Sequence, residues 1–311
     1  MTTVMTAVSS RAYRDAADAA ALRGLLLRIH RATRRWRCWT PDRIDGYLRG
    51  CEYDEATQGA DGWRERIRLW HAPDGALIGA VHPEGPDEAW LELDPAWAHL
   101  APELLDWAQE AHGARHAGAE VPPALQAYAT ADEDERQALF SARGYVDRGP
   151  MEVLHTRSLA VPAPSVPLPA GYRIRPVDLG DAFDRRCLVE ITRLAFPRAT
   201  FDERAIELDS RMLTEHEYLA AIAPDGGFAS WCGVWSSPEI GVGQFEPVGT
   251  HPDHRRRGLA SAVMARGMSW MLDRGLESAC VGTGVRNASN YLYASLGFRV
   301  AELFHQWEWE G

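Results

Sequence analysis

The clearest chemical signature in the chain is a basic turn between a strand-like and a helix-like stretch: Val248-Gly249-Thr250-His251-Pro252-Asp253-His254-Arg255-Arg256-Arg257-Gly258-Leu259-Ala260-Ser261. A strand that stops at Pro252 and a helix that begins near Gly258 leave the first helical N–H groups unpaired, pointing into the turn. These donors and the helix dipole favour an anion, and the three arginines add multidentate positive charge. Gly258 lets a phosphate approach the backbone, and Ala260 keeps the next inward position small. The segment predicts a phosphate-binding turn, with a solvated basic turn before a core helix as the alternative.

Apolar periodicity places strands and helices around this turn. Alternation over residues 217–235 predicts a hairpin, and residues 242–251 have the pattern of a further strand. Helical periodicity extends over residues 187–196 and 259–275, and Gly275 ends the second of these helices.

The two halves of the chain share this order of elements and a closing motif. The first half has helix patterns over residues 16–32 and 103–112, on either side of a hairpin pattern over 67–81. Its segment 139–145, LFSARGY, matches 292–298, LYASLGF, and both predict a short helix ended by a left-handed glycine. The chain is therefore predicted to be a diverged internal repeat of two α/β domains, each with a mixed sheet.

Length and proline content suggest where the domains meet. A chain of 311 residues exceeds the usual size of one core, which favours two domains of about 150 residues. The proline-rich stretch 158–172 favours extended backbone. We expect a first domain of residues 1–157, a linker of residues 158–170 and a second domain of residues 171–311.

Composition excludes several classes of protein. Ordinary hydrophobic (46%) and charged (25%) fractions, without a long apolar run or a signal-peptide pattern, predict a mature cytoplasmic protein. The five cysteines are widely spaced and lack zinc-ligand spacing, so we expect reduced, mostly buried thiols and no metal. A net charge of −11 disfavours nucleic acid and favours a cationic small molecule as partner. No membrane association is expected, and the oligomeric state is left open.

The motifs of the second half resemble a known family. Arg255-x-x-Gly258-x-Ala260 follows a strand ending in Thr-His-Pro, and Asn287 and the 292–298 motif come after it. This combination resembles the GNAT superfamily of acyl-CoA N-acyltransferases over residues 171–311. The resemblance implies acetyl-CoA as the acyl donor. It also implies that Val248, Gly249 and Thr250 pair through main chain with the pantetheine arm.

The resemblance extends to the pyrophosphate and to the reacting groups. Residues Arg256 to Ser261 would surround the pyrophosphate with Arg255 beside them, and Asn287 would contact the cofactor. Tyr293 matches the family tyrosine beside the thioester sulfur and is the candidate proton donor to the departing thiolate, with a core aromatic as the alternative.

Glu246 is the candidate base, because it lies on the strand that would hold the cofactor. Strand alternation predicts that Gln244, Glu246, Val248 and Thr250 share one face. An exposed glutamate or a structural ion pair is the alternative. Trp231 and Trp235 share a face of the preceding strand and are candidates for an acceptor pocket.

The first half lacks the residues of the phosphate-binding turn, which is called the cradle below. Aligning Asp94-Pro95 with His251-Pro252 places Ala101 opposite Gly258 and Glu103 opposite Ala260. Glu103 would repel a pyrophosphate, Pro102 removes a backbone donor, and Phe140 replaces the motif tyrosine. Residues 1–157 therefore resemble a degenerate GNAT repeat, and a tandem with one competent domain is similar to the mycothiol synthases.

Three functions are compatible with these observations. The leading hypothesis is an N-acetyltransferase that transfers an acetyl group to a primary amine of a small molecule by direct attack in a ternary complex. The alternatives are a non-catalytic acyl-CoA-binding regulatory module and a protein or peptide N-acetyltransferase.

Overall fold

The computed structural model of the protein describes residues 7–36, 38–58, 62–197, 201–209 and 214–311. Contacts between residues divide the chain into two units. The first consists of Met1–Val153 together with Glu302–Gly311, and the second of Leu154–Ala301. The domain limits expected from the sequence differ from this division at the end of the chain, and they stay a prediction.

The first ten elements in chain order are β1 Ser9–Ala12, α1 Ala16–Thr33, α2 Pro41–Gln58, β2 Arg68–His71, β3 Leu77–His82, β4 Glu88–Leu93, α3 Ala101–Arg115, β5 Leu125–Thr130, α4 Asp134–Ala142 and β6 Val146–Ser158. The next ten are β7 Arg173–Pro176, α5 Ala182–Ala195, α6 Glu203–Asp209, β8 His216–Ile222, β9 Phe228–Ser237, β10 Val242–Thr250, α7 Leu259–Asp273, β11 Ser278–Gly284, α8 Ser289–Ser295 and β12 Arg299–Trp309. Both halves follow the order βααβββαβαβ, which confirms the mixed α/β class and the internal repeat.

Each unit has a mixed sheet that includes the end of the other half's last strand. The strand order is β1-β2-β3-β4-β5-β12 in the first unit and β6-β11-β10-β9-β8-β7 in the second. In the first unit, β12 pairs antiparallel with β5 from Phe304↔Thr130 to Trp309↔Leu125. In the second, β6 neighbours β11, and the residues of β6 from Leu154 onward belong to this unit. The exchange of last strands places residues 302–311 in the first unit.

The first helix of each unit begins at an aspartate cap. Asp15 accepts hydrogen bonds from the N–H groups of Ala17 and Asp18, which satisfies orphan donors at the start of α1. Three residues after the cap comes the buried Asp18, whose Oδ2 lies 2.7 Å from Nη1 of Arg11 on β1. The bond ties the first strand to the first helix.

The second unit repeats this arrangement with different spacing. Asp181 caps α5, and the buried Asp184 follows three residues later. Arg175 on β7 donates to both Asp184 oxygens at 2.5 and 2.7 Å. The repeated pair supports the duplication independently of the closing motif.

The closing motif has the predicted geometry in both halves. Gly144 and Gly297 are left-handed, with φ of 82° and 84°. The residue after each glycine donates its N–H back to a carbonyl of the helix. Tyr145 donates to the Phe140 carbonyl at 3.0 Å, and Phe298 donates to the Tyr293 carbonyl at 3.1 Å. Phe140 and Tyr293 are therefore structurally equivalent positions.

The predicted linker has no helix or strand between Ser158 and Arg173. Its apolar residues Leu159, Val166 and Leu168 pack on the core of the second unit, and Leu159 donates its N–H to the carbonyl of Glu277 at 2.9 Å. Along the described part of the chain this segment is part of the second unit.

The cysteines are free thiols, and all except the half-buried Cys187 are buried, as predicted. In the described residues, no helix is long and apolar enough to cross a membrane.

Candidate active site

The site is organised by an irregularity in β10. The register with β9 runs from Gln244↔Trp235 and Phe245↔Val234 to Val248↔Cys232, so β10 has one extra residue between Phe245 and Val248. The insertion falls at the cis peptide Glu246-Pro247. Because a bulge shifts side-chain alternation by one, Val248 and Thr250 share a face with Phe245 and not with Gln244. The prediction that Gln244, Glu246, Val248 and Thr250 share one face is therefore wrong.

The bulge exposes Glu246. Gln244 is 4% exposed, whereas Glu246 is exposed. The carbonyl of Glu246 accepts a hydrogen bond from the Trp235 indole N–H. It also lies 2.3 Å from where a Cβ on Gly233 would stand, so only glycine fits there. Two residues of β9 therefore fix the backbone position of Glu246.

Strands β10 and β11 separate after a short paired stretch. Among the described residues, their parallel register extends only from Val242↔Ser278 to Gln244↔Cys280. The register of β10 with β9 continues to Thr250↔Ser230, and His251 donates its N–H to the Ala229 carbonyl. Since hydrogen-bonded pairs alternate in an antiparallel ladder, the main-chain groups of Val248 and Thr250 face away from β9, towards the opening. An extended ligand can pair with them there.

The basic turn closes one end of this opening. Gly258 precedes the first residue of α7 with φ of 76°, and no side chain caps the helix. A Cβ on Gly258 would meet only Val166 Cγ1, at 4.0 Å. The first intrahelical bond runs from the Ala262 N–H to the Gly258 carbonyl, which leaves the N–H groups of Leu259, Ala260 and Ser261 without helical acceptors. The turn has the donors and the space that a phosphate requires.

The side chains of the turn have different environments. Arg255, Arg256 and Arg257 are exposed, whereas Leu259 is 1% exposed and packs in the core of the second unit. Only the main chain of Leu259 is therefore placed to meet an anion. Arg256 is left-handed, with φ of 60°, a conformation that disfavours a non-glycine residue. Backbone strain of this kind persists where the surrounding structure imposes it, often at binding sites.

Tyr172 contributes to the turn and was missed by the sequence analysis. Its hydroxyl lies 2.8 Å from Nδ1 of His254 and accepts a hydrogen bond from Nη1 of Arg257 at 3.0 Å. Arg257 also donates to the carbonyl of Asp253. These bonds hold Arg257 against the turn. No motif marks Tyr172, which is distant in sequence from the residues that it contacts.

Tyr293 lies on α8 in the core of the second unit and is 5% exposed. Burial raises the pKa of its hydroxyl, a hydrogen bond with Ser289 partly offsets this rise, and the negative charge of Glu246 adds to it. The phenol therefore carries its proton at neutral pH, as a proton donor must.

Two asparagines precede Tyr293 and have different environments. Asn287 is exposed, and its Oδ1 accepts the Ser289 N–H at 3.0 Å at the start of α8. Asn290 donates from Nδ2 to three carbonyls, those of Gly284, Val285 and Asn287, and accepts from Nε2 of His155 at 2.7 Å. The sequence analysis missed Asn290 and His155, which hold the loop that presents Asn287.

Trp231 and Trp235 share a face, as predicted, and both are buried in a cluster with Tyr218 and Leu188. Their exposures are 1% and 5%, and Trp231 Nε1 lies 3.0 Å from a Cβ position on Gly249. They pack against β10 on its buried side. Their role in acceptor binding stays a prediction.

The corresponding region of the first unit has another structure. β4 and β5 also separate after two pairs, Glu88↔Gln126 and Ala89↔Ala127. The chain then runs from a 3-10 turn, Pro95–Leu100, straight into α3, where Trp70 Nε1 donates to Glu103 at 2.8 Å. The lining of a cavity of about 710 Å³ there includes one cation, Arg136, and five carboxylates, those of Glu92, Asp132, Glu133, Asp134 and Glu135. The parallel pairing is short in both units, but the carboxylates beside this cavity give it the wrong charge for a pyrophosphate.

Comparisons with known proteins agree with this geometry. Residues 186–298 match the model of the acetyltransferase (GNAT) family. The chain is 29% identical over 292 residues to a mycothiol acetyltransferase of Clavibacter michiganensis, covering 84% of this chain and 90% of that protein. It is 28% identical over 271 residues to a mycothiol acetyltransferase of Salinispora arenicola, covering 77% of this chain and 84% of that protein.

Solved structures show the same fold over nearly the whole chain. A tandem GNAT protein from the clavulanic acid biosynthesis pathway has a TM-score of 0.68 at 15% identity, covering 97% of this chain and 98% of its own. A GCN5-related N-acetyltransferase from Sphaerobacter thermophilus has a TM-score of 0.64 at 22% identity, covering 98% of this chain and 97% of its own.

Residues 186–298 belong to the acetyltransferase (GNAT) family. The chain is an acetyltransferase enzyme that acts on an amine, as predicted, and nearly its whole length resembles a tandem GNAT protein. GNAT acetyltransferases use acetyl-CoA as donor, and the curated relatives indicate a small-molecule acceptor in general. The cradle of this GNAT chain fits such a donor, because a left-handed glycine and an uncapped helix stand beside three arginines.

Proposed function

We propose that the second unit transfers an acetyl group from acetyl-CoA to a primary amine of a small molecule by direct attack in a ternary complex. The observation that supports this most is the uncapped start of α7 behind Gly258, at the end of the opening between β10 and β11. The N–H groups of residues 258–261 and the guanidinium groups of Arg255 and Arg256 hold the pyrophosphate. Arg257, held by Tyr172, adds positive charge.

The main chain of Val248 and Thr250 pairs with the pantetheine arm, and Gly249 keeps β10 close to Trp231. Asn287, presented at the start of α8, contacts the same ligand from the opposite side of the opening. These contacts direct the thioester towards Tyr293, which is buried between α8 and the core.

Glu246 attracts the ammonium form of the acceptor and, through water, takes the proton that the amine must lose. The neutral amine then attacks the acetyl carbonyl carbon, so that a C–N bond forms and the C–S bond breaks. Tyr293 donates its proton to the departing thiolate, and its raised pKa keeps that proton available. The attacking nitrogen is cationic once the C–N bond has formed, and the proton that it then loses restores the phenol of Tyr293. The free thiols of the chain suit a reducing compartment, which supports a cytoplasmic reaction.

The curated relatives guide the choice of acceptor. Since the relatives named mycothiol acetyltransferase match most of the chain, amines related to mycothiol are the first acceptors to test. Acetylation of peptides but not of small amines would favour the peptide N-acetyltransferase instead.

The experiment is calorimetric titration of the full chain with acetyl-CoA, comparing the wild type with Gly258→Glu and Gly275→Glu. Gly275 is a matched control, because it is left-handed with φ of 73°, follows the other end of α7 and has no atom within 4 Å of its Cβ position. We expect one site in the wild type, affinity weakened by about a hundredfold in Gly258→Glu, and little change in Gly275→Glu. Two sites would contradict the degenerate first unit. No binding to the wild type would refute the acetyl-CoA proposal.

A further inference from the structure

Two histidines and an aspartate meet in the first unit, away from the opening between β4 and β5. His112 lies on α3, and His116 immediately follows the helix and donates its N–H to the His112 carbonyl at 3.1 Å, which keeps the two residues one turn apart. Asp87 immediately precedes β4. One donor atom from each of the three side chains lies within 4.8 Å of the other two. Two nitrogens and one carboxylate oxygen are a common set of metal ligands.

The hydrogen bonding of His112 determines which nitrogen is available. Its Nε2 lies 2.8 Å from the carbonyl oxygen of Pro123, and a carbonyl only accepts, so Nε2 carries the hydrogen. Nδ1 therefore has a free lone pair. His112 is 2% exposed, and its Nδ1 is buried without a hydrogen-bond partner among the described residues. A histidine bonded to a carbonyl through one nitrogen, with the other free, has the arrangement of a metal ligand.

The free nitrogen lies beside the other two groups. His112 Nδ1 is 3.7 Å from Asp87 Oδ1, and His116 Nε2 is 2.7 Å from the same oxygen. Bonds of about 2.0–2.1 Å at tetrahedral angles would place ligand atoms about 3.3 Å apart, so small side-chain rotations suffice. The alternative explanation, a simple His116–Asp87 ion pair, leaves the buried nitrogen of His112 unexplained.

The positive charge of Arg115 lies beside Asp87 and opposes the binding of a cation. Nη1 of Arg115 is 3.7 Å from Asp87 Oδ1, but it donates its hydrogen bond to the carbonyl of Pro86. The C-terminal end of α3 carries a partial negative charge from the helix dipole, which favours a cation and offsets part of the repulsion by Arg115. His116 and Asp87 are 22% and 20% exposed, which gives water access to the remaining coordination position.

We propose that Asp87, His112 and His116 bind a divalent transition metal, Zn²⁺ in the first place, with water as the fourth ligand. Nitrogen and oxygen ligands in this number suit Zn²⁺ better than Mg²⁺ or Ca²⁺, which require more oxygen ligands. The site is independent of acetyl transfer in the second unit.

The test is titration of the untagged full chain with Zn²⁺ in competition with a chromophoric chelator. We expect one Zn²⁺ per chain, with affinity at least about tenfold weaker in His116→Gln and in Asp87→Asn. His305→Gln is the matched control, because His305 also lies beside a carboxylate, 3.1 Å from Asp147, but without a second histidine in that pair. It should bind Zn²⁺ like the wild type. Arg115→Gln should bind more tightly, because a positive charge is removed.

A second measurement needs no variant. Diethylpyrocarbonate modification of the wild type, mapped by mass spectrometry with and without Zn²⁺, should show protection at His116 and none at His305. The proposal is overturned if the wild type does not bind Zn²⁺ or if Zn²⁺ does not protect His116. Equal affinity of the wild type, His116→Gln and Asp87→Asn would overturn it too.

Discussion

The negative charge of Glu246 on β10 raises the pKa of the Tyr293 hydroxyl on α8. Burial is the main reason that the pKa of Tyr293 is raised, and the charge of Glu246 adds to it. A carboxylate that keeps a nearby phenol protonated is suited to a reaction in which the phenol gives a proton and the carboxylate takes one. The following predictions begin with this pair.

Tyr293→Phe should lower kcat by about tenfold to a hundredfold at nearly unchanged affinity for acetyl-CoA, because only the proton donor is lost. Thiol release measures kcat, and calorimetry measures the affinity. Tyr291→Phe is the control on the same helix, since Tyr291 is 83% exposed and should tolerate the change. Unchanged kcat in Tyr293→Phe would remove this residue from the mechanism and favour a non-catalytic acyl-CoA-binding module.

Glu246→Gln should lower kcat at neutral pH, with partial recovery at higher pH as more of the acceptor amine loses its proton. Removing the negative charge also lowers the pKa of Tyr293 towards its ordinary value. Any loss of activity caused by ionisation of Tyr293 should therefore begin at lower pH in the variant than in the wild type. The measurement is the pH dependence of kcat, with the exposed Glu239→Gln as control. Identical profiles for wild type and Glu246→Gln would exclude the proposed base.

Arg256→Gly should separate stability from binding. Glycine releases about 1–2 kcal/mol of left-handed strain and costs about 0.5–1 kcal/mol of chain entropy, so the free energy of unfolding should hold or rise slightly. Loss of the guanidinium should weaken acetyl-CoA binding by roughly tenfold. Arg34→Gly is the matched control, because Arg34 is left-handed too, with φ of 54°, at the end of α1. It should gain similar stability without a change in affinity, and a loss of affinity there would contradict the assignment.

Asp184→Asn should destabilise the protein by about 2 kcal/mol at pH 7, since it removes a charged partner of Arg175. The hydrogen bond from Arg175 lowers the pKa of Asp184, burial opposes this, and the bond from the Asp178 N–H lowers it again. The contribution is therefore fully present above the unfolded pKa of about 3.9, and it is lost as pH falls through the lower folded pKa. Chemical denaturation from pH 7 to pH 3 measures this.

The control is the exposed Glu207→Gln, which should change the free energy of unfolding by less than about 0.5 kcal/mol. If Asp184→Asn differed from the wild type by the same free energy at all pH values, the link between stability and the pKa of Asp184 would be contradicted.

The elements and the turn could be predicted from the sequence because their causes are local. Gly258, Gly144 and Gly297 occupy left-handed positions, and the turn that each one forms depends only on a few neighbouring residues. The repeat could be recognised for the same reason, since the motif containing Tyr293 consists of one short helix and the few residues that follow it.

The features that were missed depend on contacts between distant residues. The bulge at Glu246 is set by Trp235 and Gly233 on another strand, so alternation alone gave the wrong face. His155 and Asn290 are far apart in sequence, and no motif joins them. The spacing of His112 and His116 was visible in the sequence, but its partner Asp87 becomes evident only when α3 meets the start of β4.

The exchange of last strands constrains how the two copies of the domain can evolve. Deleting the first half would also delete Leu154 to Ser158 of β6, and β11 would become an edge strand with unpaired main-chain groups. Removing the second half would strip Glu302–Gly311 from the first unit in the same way. A duplication fused in this manner cannot be undone by deleting one copy at the proline-rich boundary. The cradle of the first copy is thus free to decay, while its final strand must be retained for as long as the second copy works.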